Sequence, residues 1–196
     1  MIKKTLYIIA GCNGAGKTTA SYTVLPEVWH CREFVNADEI ARGLSPFNPE
    51  SVAIEAGRLM LQRIDELLAI RETFSIETTL STKSYQHLIE RAHQSGYQIK
   101  LVFFWLDSPE TAIKRVAQRV REGGHNIPTE VIKRRYEAGI NNLFEIYANK
   151  VDYWLLVNNT QGEGVYIAEG GKGLSTNIFD LETYNNVKLY VRNRKN

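Results

Sequence analysis

An α/β fold built on a parallel sheet is predicted for this 196-residue chain by three observations. Short apolar segments bounded by turn residues alternate with longer segments of helical period, as a parallel sheet with crossover helices requires. Most of the helical segments open or close on a recognisable boundary residue. The first apolar segment runs without a break into a glycine-bearing loop, GCNGAGKTT, from Gly11 to Thr19. Length fits one domain spanning 1–196, large enough to bury roughly 70% of the surface its unfolded chain exposes.

Strands are predicted at Thr5–Ala10, Glu33–Asn36, Thr73–Glu77, Ile99–Leu106 and Tyr153–Val157, five in all. Asn48-Pro49-Glu50 supplies an N-cap, a first-turn proline and an acid near the positive end of a helix dipole. Val52, Ala56, Leu59, Met60, Ile64, Leu67 and Leu68 then recur at helical spacing. Ser108-Pro109-Glu110 opens another helix in the same way. Pro128 opens a long one whose shared face carries Ile132, Tyr136, Ile140, Leu143, Phe144 and Tyr147. Gly96 closes the helix bearing Leu88, Ile89 and Ala92. These stripes are core. Beyond Val157 the pattern weakens, and Val165–Ala168 and Val187–Val191 are expected as short strands of a small C-terminal β extension. Gly170, Gly171 and Gly173 mark a turn between them.

Composition is that of an ordinary globular protein, with 43% hydrophobic and 23% charged residues. A formal charge of +2 gives no footprint for nucleic acid or a membrane surface. No apolar run approaches the roughly 20 residues of a membrane span. The opening MIKKTLYIIAG has the outline of a secretory signal, but it leads directly into the glycine loop and is expected as a buried strand. Cys12 and Cys31 show no pairing context, so a cytoplasmic, disulfide-free protein is expected.

Gly11-Cys12-Asn13-Gly14-Ala15-Gly16-Lys17-Thr18 matches the phosphate-loop pattern G-x-x-x-x-G-K-[ST] in its proper setting, between a strand and a helix. Glycines let the backbone wrap with its N–H groups inward, and the helix N-terminus adds partial positive charge. Gly11, Asn13, Gly14, Ala15, Gly16, Lys17, Thr18 and Thr19 are therefore expected to bind ATP or GTP. Lys17 would neutralise the β- and γ-phosphates, and the Thr18 hydroxyl would ligate Mg²⁺. The expected fold is accordingly a P-loop NTPase of nucleotide-kinase type, a five-stranded parallel sheet flanked by helices.

Asn149-Lys150-Val151-Asp152 spells the N-K-x-D that reads guanine in GTPases. Here it follows a long helix and precedes a strand, which puts it at the wrong end of the sheet, and a D-x-x-G switch motif is missing. A GTPase is excluded.

Ligands of open α/β sheets sit beyond the carboxyl ends of the strands. FVNAD places Asp38 at the tip of the second strand, and SIETT places Glu77, Thr78 and Thr79 at the tip of the third. A kinase needs a carboxylate to orient the acceptor hydroxyl and take its proton. Asp38 is the candidate base; its alternative role is N-cap of the helix that follows. Glu77 could bind acceptor hydroxyls or hold water on Mg²⁺, and Thr79 could donate to the acceptor. Asp107, at the end of KLVFFWLD, has the position of a Mg²⁺-binding aspartate but also that of a helix cap, and no role is assigned to it.

Residues 111–135 carry seven basic residues against Glu122 and Glu130, around a glycine-bearing loop, EGGHNIP. Such a segment suits a short lid, about 119–130, whose arginines neutralise charge on the transferring phosphoryl group while closure excludes water. Arg119, Arg121 and Arg134 are the candidates. The absence of interleaved aromatics argues against nucleic acid as the partner of this patch.

Taken together, GCNGAGKTT, FVNADEIARGLSP, SIETTLS and RVREGGHNIP resemble the zeta-toxin family of P-loop kinases, up to about residue 160. That resemblance implies a parallel sheet flanked by helices. It also implies ATP- or GTP- and Mg²⁺-dependent phosphorylation of a sugar hydroxyl of UDP-N-acetylglucosamine, and an antitoxin protein as partner. Lys17 and Thr18 match the family's phosphate-loop pair and Asp38 its base, with Asp38 and Arg42 forming a D-x-x-x-R helix start. Glu77 and Thr79 match an E-x-T that contacts the sugar, and Arg119 or Arg121 matches the first lid arginine. The second lid arginine lies before a T-P pair in the family. Near IPTE its place is filled by His125 or Asn126, and Arg134 is the expected substitute. Two other readings remain: a kinase of nucleosides or nucleic-acid ends, and a nucleotide-binding regulatory module that has lost catalysis.

Overall fold

The structure, a computed structural model, describes residues 3–192. Strands β1 (Thr5–Gly11), β2 (Glu33–Val35), β3 (Phe74–Thr78), β4 (Gln98–Trp105), β5 (Tyr153–Asn158), β6 (Val165–Gly171) and β7 (Leu174–Ile178) form one sheet in the order β2-β3-β1-β4-β5-β6-β7. The first five strands run parallel, as predicted, and β6 and β7 continue the sheet antiparallel. The sheet therefore has seven strands rather than five, because the C-terminal β extension hydrogen-bonds onto β5.

Helices α1 (Lys17–Glu27), α2 (Ala37–Leu44), α3 (Ala53–Ala69), α4 (Tyr85–Gln94), α5 (Pro109–Arg121) and α6 (Thr129–Asn142) connect the parallel strands, and α7 (Leu181–Arg192) follows β7. The apolar faces of α3, α4, α5, α6 and α7 pack on Leu6, Ile8, Phe74, Ile76, Leu101 and Phe103 in one continuous core. The opposite face of β1 meets α1, where Tyr7 and Ile9 pack on Leu25 and Tyr7 stacks on Trp29 with ring centroids 4.6 Å apart. This unequal two-sided covering explains why the strands read as near-continuous apolar runs.

Two expectations fail locally. Val187–Val191, expected as a strand, lies in α7. Its β-branched and aromatic residues favour a strand taken alone, but Tyr184, Val187 and Val191 recur at helical spacing. Val187 is fully buried, and Tyr184 and Tyr190 make edge contacts with Phe144 and Tyr136. The segment expected to start α3 at Asn48 is a separate 3₁₀ turn, Pro49–Val52, with no side-chain cap from Asn48. Ser108, by contrast, caps α5 by accepting from the Thr111 N–H at 3.1 Å. No helix of the described residues is long and apolar enough to cross a membrane.

Candidate active site

β1 delivers Gly11 to the carboxyl edge of the sheet, and α1 begins six residues later at Lys17. Gly11 has φ of 139°, and a side chain there would collide with the backbone carbonyl of Phe104 on β4. Gly16, at φ of 84°, is the left-handed residue that turns the loop into α1. The loop is braced from three sides. The Asn159 amide donates to the Ala15 carbonyl at 2.8 Å, Arg115 to the Gly14 carbonyl at 3.4 Å, and Arg135 to the Asn13 Oδ1 at 3.2 Å. Arg115 also donates to the Thr160 carbonyl at 2.9 Å, which ties the loop to the turn after β5. Cys12 is a buried thiol whose pKa burial pushes up to about 11, so at neutral pH it carries no thiolate.

Lys17 is only 6% exposed. Its Nζ donates to the Cys12 carbonyl at 3.0 Å and lies 3.6 Å from Glu77 Oε1, while the Thr18 hydroxyl donates to Glu77 Oε2 at 2.8 Å. The parallel register of β1 and β3, with Ile9 opposite Glu77, carries this carboxylate to the phosphate loop. Thr18 and Glu77 present adjacent hard oxygen donors beside the loop. That fits Mg²⁺, which takes one or two carboxylates together with phosphate oxygens and water.

Asp38 stands in the first turn of α2. The cap of that helix is Asn36, whose Oδ1 accepts from the Asp38 N–H at 2.8 Å. The cap role proposed as the alternative for Asp38 thus belongs to its neighbour. Asp38 lines two cavities. One, about 240 Å³, is shared with Lys17, Glu77, Thr79 and Arg135; the other, about 300 Å³, lies between α2 and residues 125–128. Thr79 lines the first cavity, with its hydroxyl 2.8 Å from that of Ser81.

The remaining expected residues fall outside these cavities. Arg42 is half exposed and pairs with Glu39 at 3.4 Å. Arg119 reaches the His125 carbonyl at 3.4 Å, and its own carbonyl accepts from the Gly124 N–H, so it holds the lid loop in place. Arg121 is exposed and bonded to Gln118. Arg134 is exposed as well; the arginine that touches the phosphate loop is its neighbour Arg135. The lid loop is anchored in the core by Ile127, 7% exposed. Asp107 interacts with Ser108 and Thr160 and lines neither cavity. The N-K-x-D segment sits at the other end of the sheet, where Asp152 accepts from the Ile99 N–H at 2.7 Å and pairs with His93 at 3.0 Å.

Sequence reasoning missed Arg115, Arg135 and Asn159. For Arg135 a signal was present: it lies three residues after Ile132 and four before Gly139, on the inward face of α6, whereas Arg134 is a helical step off that face. Asn159 carried no local signal, since only the pairing of β4 with β5 brings it to Ala15.

A family model described as Zeta toxin matches residues 2–169. The chain belongs to the zeta-toxin family. Among relatives of this zeta-toxin protein, an uncharacterised protein of Haemophilus influenzae is 28% identical over 143 residues, covering 69% of this chain and all of that one. A chain of the AvrRxo1-ORF1:AvrRxo1-ORF2 complex, crystallised with sulphate ions, superposes with a TM-score of 0.76 at 19% identity over 94% of this chain. A structure from the PezAT toxin–antitoxin system of Streptococcus pneumoniae gives 0.66 at 17% identity, covering 85% of this chain and 72% of that one. This zeta-toxin chain spans 63% of the AvrRxo1 chain it matches. At these identities the structural likeness establishes the shared fold.

Proposed function

We propose that this zeta-toxin protein is a phosphotransferase that moves the terminal phosphoryl group of ATP to the hydroxyl of a small acceptor. One observation carries the reading: Lys17, Asp38, Glu77, Thr79 and Arg135 line a single cavity against the phosphate loop. A related complex was crystallised with ATP, which supports ATP as the donor. Loop N–H groups and Lys17 would hold the β- and γ-phosphates, and Thr18 with Glu77 would hold the metal. The chemistry such a metal would supply there is neutralisation of charge on the phosphate oxygens. Asp38 accepts the proton of the acceptor hydroxyl as its oxygen attacks phosphorus in line, and ADP leaves. Arg135 supplies positive charge from the lid side. Arg42, Arg119, Arg121 and Arg134 line neither cavity and would act only after a rearrangement that brings them inward.

The family's sugar nucleotide, UDP-N-acetylglucosamine, is the first acceptor to test. The toxin–antitoxin origin of the Streptococcus structure supports a protein antitoxin as partner. The two free cysteines are compatible with the cytoplasm. Asp38→Asn tests the chemistry. Titration calorimetry should show ATP affinity unchanged, while product formation, followed by mass spectrometry, should fall about 10²-fold or more. Unchanged turnover removes Asp38 from the mechanism.

A further inference from the structure

One face of α6 touches both the phosphate loop and the far wall of the inner cavity, and a change of helical pitch at its end extends that face. Arg135, Gly139 and Asn142 follow one another at helical spacing. Arg135 donates to Asn13 of the phosphate loop, Gly139 packs against the Thr79 carbonyl, and the Asn142 amide donates to the Leu80 carbonyl at 2.9 Å. At about 3.6 residues per turn the next residue on this face would be Ile146. Instead, Leu143–Tyr147 form a π-helical turn, closed by the Ala148 N–H on the Leu143 carbonyl at 2.8 Å. The wider turn takes up one extra residue and gives the place to Tyr147. Its hydroxyl donates to the Thr82 carbonyl at 2.6 Å. Tyr147 is fully buried, and burial pushes its phenol up to about 12, so it keeps the proton it donates.

These contacts converge on the loop that follows β3. Thr79, Ser81 and Thr82 of this loop line the inner cavity with Asp38. Among them Leu80 has φ of 58°, a left-handed conformation that costs a residue with a Cβ and persists only where its surroundings hold it. Its N–H donates to Thr78 Oγ1 at 3.0 Å, its carbonyl is held by Asn142, and its side chain is fully buried. Removing a donor from α6 leaves a loop carbonyl without its partner. The strained turn is then free to relax, and the wall moves out of register with Asp38 and the phosphate loop, a kind of misplacement to which transfer chemistry is sensitive.

We propose that Asn142 and Tyr147 are positioning residues for the acceptor: by holding the Leu80 and Thr82 carbonyls they fix the wall formed by residues 79–82 relative to the phosphate loop, which the same helix holds through Arg135. Neither residue lines the cavity itself. This rests on the kinase reading above and adds to it a device that sets acceptor against donor.

Tyr136 supplies the control. It lies on the same helix, and its hydroxyl donates to the Leu106 carbonyl, also at 2.6 Å, away from the acceptor wall. Tyr147→Phe and Tyr136→Phe each remove one hydroxyl and keep the ring. The full-length parent and variants are assayed with ATP, Mg²⁺ and UDP-N-acetylglucosamine. If the parent does not phosphorylate that sugar nucleotide, the acceptor is the species of a bacterial metabolite extract that gains one phosphoryl group. Tyr147→Phe should raise the acceptor KM about tenfold, with kcat within about threefold and the KM for ATP within about twofold of the parent. Tyr136→Phe, at a comparable loss of Tm, should leave the acceptor KM within about twofold. An unchanged acceptor KM in Tyr147→Phe, or an equal rise in both variants, overturns the proposal and leaves the kinase reading standing. If the parent phosphorylates nothing although calorimetry shows ATP bound, the kinase reading falls and the positioning role with it. Should Tyr147→Phe not fold, hydrogen exchange of the parent decides. Saturating acceptor should slow exchange in residues 79–84 and 142–148 together; slowing in 79–84 alone overturns the coupling.

Discussion

At the scale of single residues, the site depends on which side chain faces the phosphate loop. Glu77 touches both Lys17 and Thr18 and lines the cavity with Asp38, so on the proposed reading its carboxylate would serve the metal and donor as well as the acceptor. Glu77→Gln keeps the size and the hydrogen bond but removes the charge. It should raise the Mg²⁺ concentration for half-maximal phosphoryl transfer about tenfold, in a magnesium titration at saturating ATP. The arginine pair of α6 offers a sharper comparison. Arg135→Ala, losing the contact with Asn13, should lower kcat about 10²-fold. Arg134→Ala, on the exposed face, should stay within about threefold of the parent. The reverse order would return the lid role to Arg134. Sequence distinguished these neighbours only through helical phase, a weak signal for two adjacent identical residues.

At the scale of elements, α6 is held against the acceptor side of the sheet by Gly139. A Cβ there would sit 2.6 Å from the Thr79 carbonyl oxygen and against the Phe103 ring. Gly139→Ala would gain about 1 kcal/mol of helix propensity in an unhindered helix. Here the backbone carbonyl cannot swing away as a flexible side chain would, so overpacking should dominate and destabilise by about 1–3 kcal/mol in urea melts. Transfer activity should fall with it, because α6 also carries Arg135. The boundaries of the five parallel strands were legible to within a residue or so, since apolar runs ending in polar or glycine residues mark them directly. The α7 segment was not. Its Val-Lys-Leu-Tyr-Val sequence satisfies a strand of period two, and contacts from Phe144 and Tyr136 decided for a helix.

At the scale of the whole molecule, the two ends of the sheet have separate work. The carboxyl end gathers the phosphate loop, Asp38 and Glu77. The amino end is closed by Asp152, which joins β4 to β5 through the Ile99 N–H and to α4 through His93. Burial alone would raise the pKa of Asp152, but the hydrogen bonds from Ile99 and His93 outweigh it and hold the pKa below the ordinary value. A carboxyl group depressed in the folded state adds stability that is present above its unfolded pKa and is lost as pH falls through the folded one. Thermal melts should therefore show a steeper loss of Tm below about pH 4 in the parent than in Asp152→Asn. Transfer activity of that variant at neutral pH should follow its stability alone, since the residue lies away from the site.

The sequence by itself determined the phosphate-loop motif between β1 and α1, the parallel α/β core and the acidic residues at the strand tips. Each of these is written in local chemistry: glycines where the backbone must turn left-handed or pass close to its neighbour, apolar runs where a strand is buried on both faces, and carboxylates one step past those runs. Tertiary structure alone decided the rest. It brought Glu77 within reach of Thr18 and turned Arg135 rather than Arg134 toward Asn13. Those outcomes depend on strand register and helix phase between segments far apart in the chain, and no short stretch of sequence contains both partners.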